Sequence, residues 1–371
     1  MPDAADTPSP LDQRLAPLRQ RIDEIDRKLV ELLSERANVS LEVGRAKREA
    51  GGDAASFYVP HREKLVLDKI RGLNGGPLPD RTLEAIWREI MSGSLGLQKP
   101  LRVAYLGPRG SFSHAAALGK FGSSVDFVAT GDIEGVFNAV ARGHADQGLV
   151  PVENSAHGGV IDTLDAFLSH SAKVCAEVLI TVHHCVLSRS KWPEVETVTT
   201  KPEVFAQCRG WLSTVARGRK VEPAASTSAA AERAASDPTV AAIGSRLAGE
   251  VYDVPILFEN IEDDPDNVTR FWVIGRDPAK PTGDDKTATL VKTANKPGAL
   301  ASVLDAFRGN GVNLTDIEKR PSRRTNWEYV FFIDAEGHAD DSHVQAALSA
   351  AAEHCLQLTV LGSYPRAAEV L

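Results

Sequence analysis

The stretch "LRQRIDEIDRKLVELLSERANVSLEVGRAK", residues 18–47, sets the first of three architectures in this chain. Ile22, Ile25, Leu29, Leu32, Val39, Val43 and Ala46 recur at steps of three, four or seven, the apolar stripe of an amphipathic helix. The pattern extends to about Ala50, unusually long for a globular helix, and predicts a helical partner. Pro17 is its one interruption, expected near the helix start, where a missing N–H is harmless. "GGDAAS" (51–56) ends the pattern, a second helix follows Pro60 and closes at "NGGPLPD" (74–80), and a third runs from about Arg81 to Gln98. Residues 11–99 therefore read as an all-α unit.

Further on, the period changes. Between residues 101 and 277, short β-rich runs such as "LRVAYLG" (101–107), "DQGLVPV" (146–152) and "VAAIGS" (240–245) alternate with helical stretches such as "IEGVFNAVARG" (133–143). That rhythm predicts a mainly parallel α/β sheet, and "AEVLITVHHCVLS" (176–188) is long enough to cross between two lobes. After the linker "RDPAKPTGDDK" (276–286), residues 286–366 follow the order βαββαβ, a small ferredoxin-like sandwich.

Composition excludes several classes. The 371 residues are 43% hydrophobic and 25% charged, as in a soluble globular protein, and no apolar run reaches the length of a membrane span. The net charge of −8 is uneven: residues 11–99 hold 16 Lys/Arg against 14 Asp/Glu, and the rest 26 against 36. Neither part carries the basic field of a nucleic-acid binder. The acidic, Pro-rich "MPDAADTPSPLDQ" has no signal-peptide character and is expected to be a disordered tail. Cys175, Cys185, Cys208 and Cys355 lack zinc or disulfide-framework spacing, and a reducing cytoplasm is expected. His183 and His184, expected on opposite faces of an apolar strand, have no carboxylate or thiol at ligand spacing, so no metal and no cofactor is expected.

Candidate chemistry begins with cations on the first helix. Arg36 and Lys47 share a face at about 16 Å of rise, whereas Arg19 lies about 25 Å from Arg36 and about 100° around. A metabolite-sized anion meets all three only if Arg19 comes from another chain; otherwise they are solvated helix charges. With "PHRE" (60–63) and "WREIMSGSLGLQ" (87–98), the segment resembles the all-helical chorismate mutase family. The resemblance implies an intertwined helical dimer that rearranges chorismate to prephenate. It puts Arg19 of the partner chain and Arg36 on substrate carboxylates, Lys47 and Gln98 on the ether oxygen, Glu63 on the ring hydroxyl, and Arg62 and Ser94 beside them. Val59 stands where some relatives carry Asp. A pericyclic rearrangement needs no nucleophile, only a compacted dianion and stabilisation of charge developing on the ether oxygen.

In the central segment the polar clusters fall where strands end. "YLGPRGSFSHAAA" (105–117) offers Gly107, Gly110, Ser111 and Ser113 at a helix start, and "VPVENSAHGGVIDTL" (150–164) offers Glu153, Asn154 and Ser155. "STSAAAERAA" (226–235) offers Ser226 or Thr227 as an N-cap, and each motif alone is an ordinary cap. "GPRG" lacks the phosphate-loop spacing, and Ser155 lacks a nucleophile-elbow context. In this order, with "KPEVFAQC" (201–208) and "NVTRFWVIG" (267–275), they resemble prephenate dehydratase. The resemblance implies two α/β lobes of the periplasmic-binding-protein-like kind, and loss of water and CO2 from prephenate in the cleft between them to give phenylpyruvate. Thr269 is the implied donor to the departing hydroxide. Ser111, Glu153, Asn154, Ser155, Thr200, Gln207, Ser226 and Thr227 line the implied cleft, and Arg270 helps hold a carboxylate. Lys201 replaces a His common among relatives, and Ser111 a Thr. The acidic turn "IEDDPDNV" (261–268) lacks a calcium-loop register and is read as delivering Thr269, with no role for Asp263, Asp264 or Asp266.

"NKPGALASVLDAFRGNGVNLTDIEKRPSR" (295–323) resembles the ACT regulatory domain. This implies feedback inhibition by L-phenylalanine at a dimer interface, through Gly298, Ala299 and Leu300 at a helix start and Glu318, Arg320 and Pro321 on the next strand. Lys319 stands where relatives usually have Ser or Thr. The whole chain thus resembles bifunctional chorismate mutase/prephenate dehydratases, an isomerase and lyase pair in phenylalanine biosynthesis, acting as a homodimer or higher homo-oligomer without nucleic-acid or membrane partners. An enzyme with one live activity and a non-catalytic amino-acid sensor are the alternatives.

Overall fold

The computed structural model describes residues 9–51, 58–321 and 329–371. Most of the expected N-terminal tail, most of "GGDAAS" and residues 322–328 lie outside the described residues.

The first helix, α1 (Pro10–Gly51), runs for 42 residues, about 63 Å. Its start is set by Ser9, whose hydroxyl oxygen accepts the Asp12 N–H at 3.1 Å, followed by proline at the first helical position. Pro17 stands inside the helix and near its start, as expected, though beyond the first turn where a missing N–H is harmless. α2 (Pro60–Leu73) and α3 (Asp80–Gln98) turn back on it, and α3 packs on both α1 and α2. Arg71 of α2 donates to Glu84 of α3 at 2.5 and 2.9 Å, a pair that accounts for the burial of Glu84. The apolar stripe of α1 stays uncovered within one chain: Ile22, Ile25 and Leu29 are 56%, 48% and 51% exposed.

Two sheets follow, in the two lobes that the resemblance implied, and both are mixed where the strand–helix rhythm predicted mainly parallel pairing. The first lobe carries β1 (Arg102–Leu106), α4 (Phe112–Phe121), β2 (Asp126–Thr130), α5 (Ile133–Ala141), β3 (Gln147–Asn154), β4 (Gly158–Gly159), α6 (Ile161–Ala166) and β5 (Lys173–Thr181). The second carries β6 (Cys185–Leu187), β7 (Thr197–Thr200), α7 (Pro202–Gln207), α8 (Arg209–Thr214), β8 (Lys220–Pro223), α9 (Thr227–Ser236), β9 (Val240–Gly244), α10 (Arg246–Tyr252) and β10 (Ile256–Phe258). The chain then returns, and β11 (Val268–Gly275) completes the first sheet, ordered β2-β1-β3-β11-β5. The second sheet is ordered β10-β6-β9-β7-β8.

The lobes are joined by residues 182–184 and 259–267. A strand arriving by a crossover enters its sheet from the edge facing the other lobe, so it must run against the strands that lead toward that edge. Accordingly β6 is antiparallel to β9 and β10, and β11 to β3 and β5. His183 and His184 lie in the first crossover rather than in a strand, which corrects their expected placement.

The C-terminal unit is β12 (Asp285–Lys292), α11 (Ala299–Gly309), β13 (Leu314–Pro321), β14 (Tyr329–Glu336), α12 (Ser342–Ala352) and β15 (Gln357–Pro365), an antiparallel sheet ordered β13-β14-β12-β15. The helices cover one face around Val303, Phe307 and Val344. The other face, with Leu290, Phe332 and Tyr364, joins the core of the first lobe around Phe137, Phe167 and Trp272. Leu371 extends the lobe's edge strand, its N–H donating to Leu179 O at 2.8 Å and its carbonyl accepting the Thr181 N–H at 3.0 Å.

The shared core contains a buried cation. Arg270 of β11 donates to Glu177 of β5 at 3.0 Å, to Tyr364 of β15 at 2.7 Å and to Asp334 of β14. Burial alone would lower its pKa, but its interactions with Tyr364, Asp334 and Glu177 more than offset this and raise it. Arg270→Leu strands the buried Asp334 carboxylate, leaves Glu177 with Lys286 at 3.3 Å, and costs about 3–5 kcal/mol. Denaturant unfolding of the two-lobed and C-terminal units should show the loss, and an unchanged midpoint would show that the cluster does not hold them.

Candidate functional site

A cleft of about 570 Å³ opens among α1, α2 and α3. Arg36, Lys47, Arg62, Glu63, Ser94 and Gln98 line it, brought together from three helices. Arg19 is not among its lining residues, being about 25 Å along α1 from Arg36. Arg36 Nη1 donates to Ser94 Oγ at 2.6 Å, which in turn donates to Ile90 O at 2.7 Å. Burial lowers the pKa of Lys47.

Gln98 Nε2 donates to Ser40 Oγ at 2.6 Å, while Oε1 is buried without a hydrogen-bond partner. The Ser40 hydroxyl can donate as well as accept, so it can hold either end of the Gln98 amide. Gly44 permits this approach of α3 to α1, since a Cβ there would stand 2.9 Å from Gln98 Cγ. Sequence reasoning missed Ser40, Tyr58, Lys120 and Phe121 on the cleft wall. Ser40 lies four residues after Arg36, on the same helix face, so that position was legible. Lys120 and Phe121 come from α4 of the next unit, and no local pattern announces them. Burial, then the Glu63 carboxylate, push the Tyr58 phenol well above its ordinary pKa. A site with several cations and an amide donor suits a compact dianion.

The second constellation lies where the two lobes face each other. Parallel strands β1 and β3 end there in the first lobe and β7, β8 and β9 in the second, and Ser245 Oγ bridges the lobes by donating to Gly110 O at 2.7 Å. Thr269, the second residue of β11, pairs with Asn154, the last of β3. Asn154 Nδ2 donates to Thr269 Oγ1 at 2.9 Å and to Asn267 Oδ1 at 2.7 Å; Asn267 was not foreseen. Ser155 Oγ accepts the Val268 N–H at 2.9 Å, and Glu153 pairs with Arg270 across the strands. Ser111 caps α4 by accepting the His114 N–H at 3.2 Å. Ser226 caps α9 by accepting the Ala229 N–H at 3.0 Å, with Thr227 the first residue of that helix.

Three expected cleft residues are engaged elsewhere. Thr200 is fully buried and donates to Ile243 O at 2.7 Å. Gln207 Oε1 stands 2.7 Å from His184 Nε2 in the crossover. Arg270 does not face the cleft as expected: strand alternation turns it from Thr269 into the buried cluster with Glu177 and Asp334, and Glu153, its cross-strand partner 3.8 Å away, shares that face rather than the cleft side.

The acidic stretch clasps the crossovers. Glu262 receives the His184 N–H at 2.8 Å and stands 2.6 Å from His183 Nδ1, tying one crossover to the other. Asp263 Oδ1 accepts the Gly210 N–H at 2.9 Å, in the first turn of α8. In the C-terminal unit, Gly298 precedes α11 with φ of 79°, a conformation that favours glycine, and Ala299 and Leu300 open the helix. Glu318 and Arg320 alternate with exposed Lys319 and Pro321, so the two pairs face opposite ways. Arg320, expected to serve an effector, is instead held by both oxygens of Asp165 in α6, at 3.1 and 2.9 Å.

Residues 18–99 match the chorismate mutase type II family model, residues 103–279 the prephenate dehydratase model, and residues 287–353 the ACT domain model. The bifunctional chorismate mutase/prephenate dehydratase of Pseudomonas aeruginosa is 44% identical, covering 95% of this chain and 98% of its own. Its counterpart in Aquifex aeolicus is 42% identical, covering 96% and 99%. A prephenate dehydratase from Arthrobacter aurescens, solved in complex with L-Phe, superposes with a TM-score of 0.67 at 34% identity, over 72% of this chain and 90% of that one.

The crossover clasp has a pH signature. Burial pushes the Glu262 carboxyl up, but hydrogen bonds from His183 and the His184 N–H pull it further down, so its folded pKa lies below the ordinary 4.5. Its stabilisation is therefore present above that value and is lost as pH falls through the folded pKa. Glu262→Gln should cost about 1–2 kcal/mol at pH 7, with the gap from the parent protein narrowing below pH 4.5. Parallel unfolding curves at neutral and acid pH read this, and a gap constant with pH would refute it.

Proposed function

Since the chain belongs to the family of bifunctional chorismate mutase/prephenate dehydratases, we propose how its residues divide the two reactions. The protein rearranges chorismate to prephenate, then dehydrates and decarboxylates prephenate to phenylpyruvate, under feedback by L-phenylalanine. The observation that carries the assignment of residues is the convergence of Arg36, Lys47, Arg62 and Gln98, from three helices, on one cleft.

In the mutase cleft, Arg36 and Arg62 hold substrate carboxylates, Glu63 takes the ring hydroxyl, and Lys47 and Gln98 donate to the ether oxygen as its bond lengthens. Stabilisation there grows with the charge, so it favours the transition state over bound substrate. Arg19 reaches this cleft from a second copy, and the uncovered apolar stripe of α1 supports an intertwined homodimer. In the dehydratase cleft, the Thr269 hydroxyl donates to the departing oxygen while Asn154 fixes the rotation of that hydroxyl at 2.9 Å. Ser155, Ser111, Ser226 and Thr227 line the site, and aromatisation of the ring drives loss of water and CO2. Gly298, Ala299 and Leu300 hold the effector carboxylate at the start of α11.

Feeding chorismate to the full chain and following phenylpyruvate tests the whole assignment. Thr269→Val should stop at prephenate, with mutase turnover retained; continued phenylpyruvate release removes Thr269 from its role. Gln98→Ala should cut mutase kcat by about 10²–10³ while prephenate supplied directly is still consumed, and unchanged mutase turnover would unseat Gln98. Titration with L-phenylalanine should give heat and inhibition together.

A further inference from the structure

Lys120 belongs to the dehydratase unit, yet it lines the mutase cleft together with Arg36, Lys47, Glu63 and Gln98. Its Nζ lies 3.1 Å from Glu63 Oε2, and the two side chains are only 18% and 11% exposed. The Tyr58 hydroxyl donates to the same oxygen at 2.9 Å, and neither contact engages Oε1. The Tyr58 ring packs on Phe121, the residue after Lys120, with centroids 5.0 Å apart.

The end of α4 is firmly seated on α3. Ser124 N–H donates to Ser92 Oγ at 3.1 Å, and the Ser123 hydroxyl donates to Glu89 at 2.7 Å. At Gly122, whose φ is 73°, a Cβ would stand 2.6 Å from Ser92 Cβ. The backbone therefore fixes where Lys120 can reach. Two electrostatic demands meet there. A carboxylate in a cleft built for a dianion is tolerated only if it is itself paired. The C-terminal end of a helix also carries partial negative charge, which would repel that dianion unless a cation in the last turn offsets it.

We propose that Lys120, carried by the dehydratase unit, is a positioning residue of the mutase site. Its ammonium holds Glu63 in the orientation that meets substrate and reverses the sign of the field from the end of α4. The mutase cleft is thus complete only with the dehydratase unit docked beside it. This rests on reading the cleft as the mutase site and Glu63 as a substrate ligand.

Steady-state chorismate kinetics on full-length Lys120→Met, Lys120→Arg, Glu63→Gln and the Lys120→Met/Glu63→Gln double variant test it. Turnover of supplied prephenate in the same preparations reports whether the fold is intact. Lys120→Met should raise KM for chorismate about five- to tenfold with kcat within about twofold, the signature of lost ground-state binding. Lys120→Arg should recover most of that loss, and the double variant should be little worse than Glu63→Gln alone. An unchanged KM in Lys120→Met, with Glu63→Gln impaired, overturns the role of Lys120 alone. A silent Glu63→Gln brings down the reading of Glu63 and the proposal with it. Equal losses in both activities without rescue by Lys120→Arg assign Lys120 to structure only and also overturn it.

Discussion

A guanidinium taken out of water must find its partners inside the protein, and Arg270 finds them on both sides of a unit boundary. Glu177 lies on β5 of the dehydratase lobe, whereas Asp334 and Tyr364 lie on β14 and β15 of the ACT unit. The ring of Trp272, two residues along β11, also stands against the guanidinium, 5.5 Å from its carbon. Removing the guanidinium would leave Asp334 buried without its cation, so the two sheets are held as one body. That constraint reaches the chemistry through strand geometry. Neighbouring residues on a strand face opposite ways, so fixing Arg270 in the core also fixes Thr269 toward the cleft.

The same logic explains why the dehydratase residues stand where they do. Each lobe sends its parallel strands toward the other, and each crossover enters a sheet from that shared edge. Asn154 closes a strand arriving at the edge, and Thr269 opens one leaving it, so their meeting follows from topology. Glu262 then joins the crossovers to each other, and Asp263 joins the second to α8. The acidic character of residues 262–263 thus serves the frame around the site rather than the substrate.

Much of this was legible in the sequence because it is local or periodic. The helical stripe of α1, the βαβ rhythm and the βαββαβ order each follow from patterns within one element or between neighbours. The mutase cations and Thr269 were singled out by the resemblance of the motifs that carry them, since helical spacing alone leaves Arg19, Arg36 and Lys47 as solvated charges. What escaped reading depends on distant packing. The cap at Ser9, eight residues before Pro17, and the helix that runs through the proline were not legible. Arg270 and Arg320 were assigned to ligands as exposed cations would be, yet their carboxylate partners, Glu177, Asp334 and Asp165, lie far away in sequence. Lys120 carries no signal at all, since its meaning comes from a surface that α3 supplies.

The position of α4 shows how one short helix can be bound to two sites at once. Its first residue follows Ser111 at the dehydratase cleft, and its last turn enters the mutase cleft, about 15 Å of rise away. Ala116 and Ala117 between them are fully buried, so packing leaves only the ends free to carry polar chemistry. The backbone treats those ends unequally. The N-terminal end offers unpaired N–H groups and a favourable field to an anion, and a serine cap suffices. The C-terminal end offers the opposite field, so a second anionic substrate is accommodated there only if the last turn brings its own cation. The serine cap at one end and the lysine in the last turn at the other thus each match the field of the helix end they occupy.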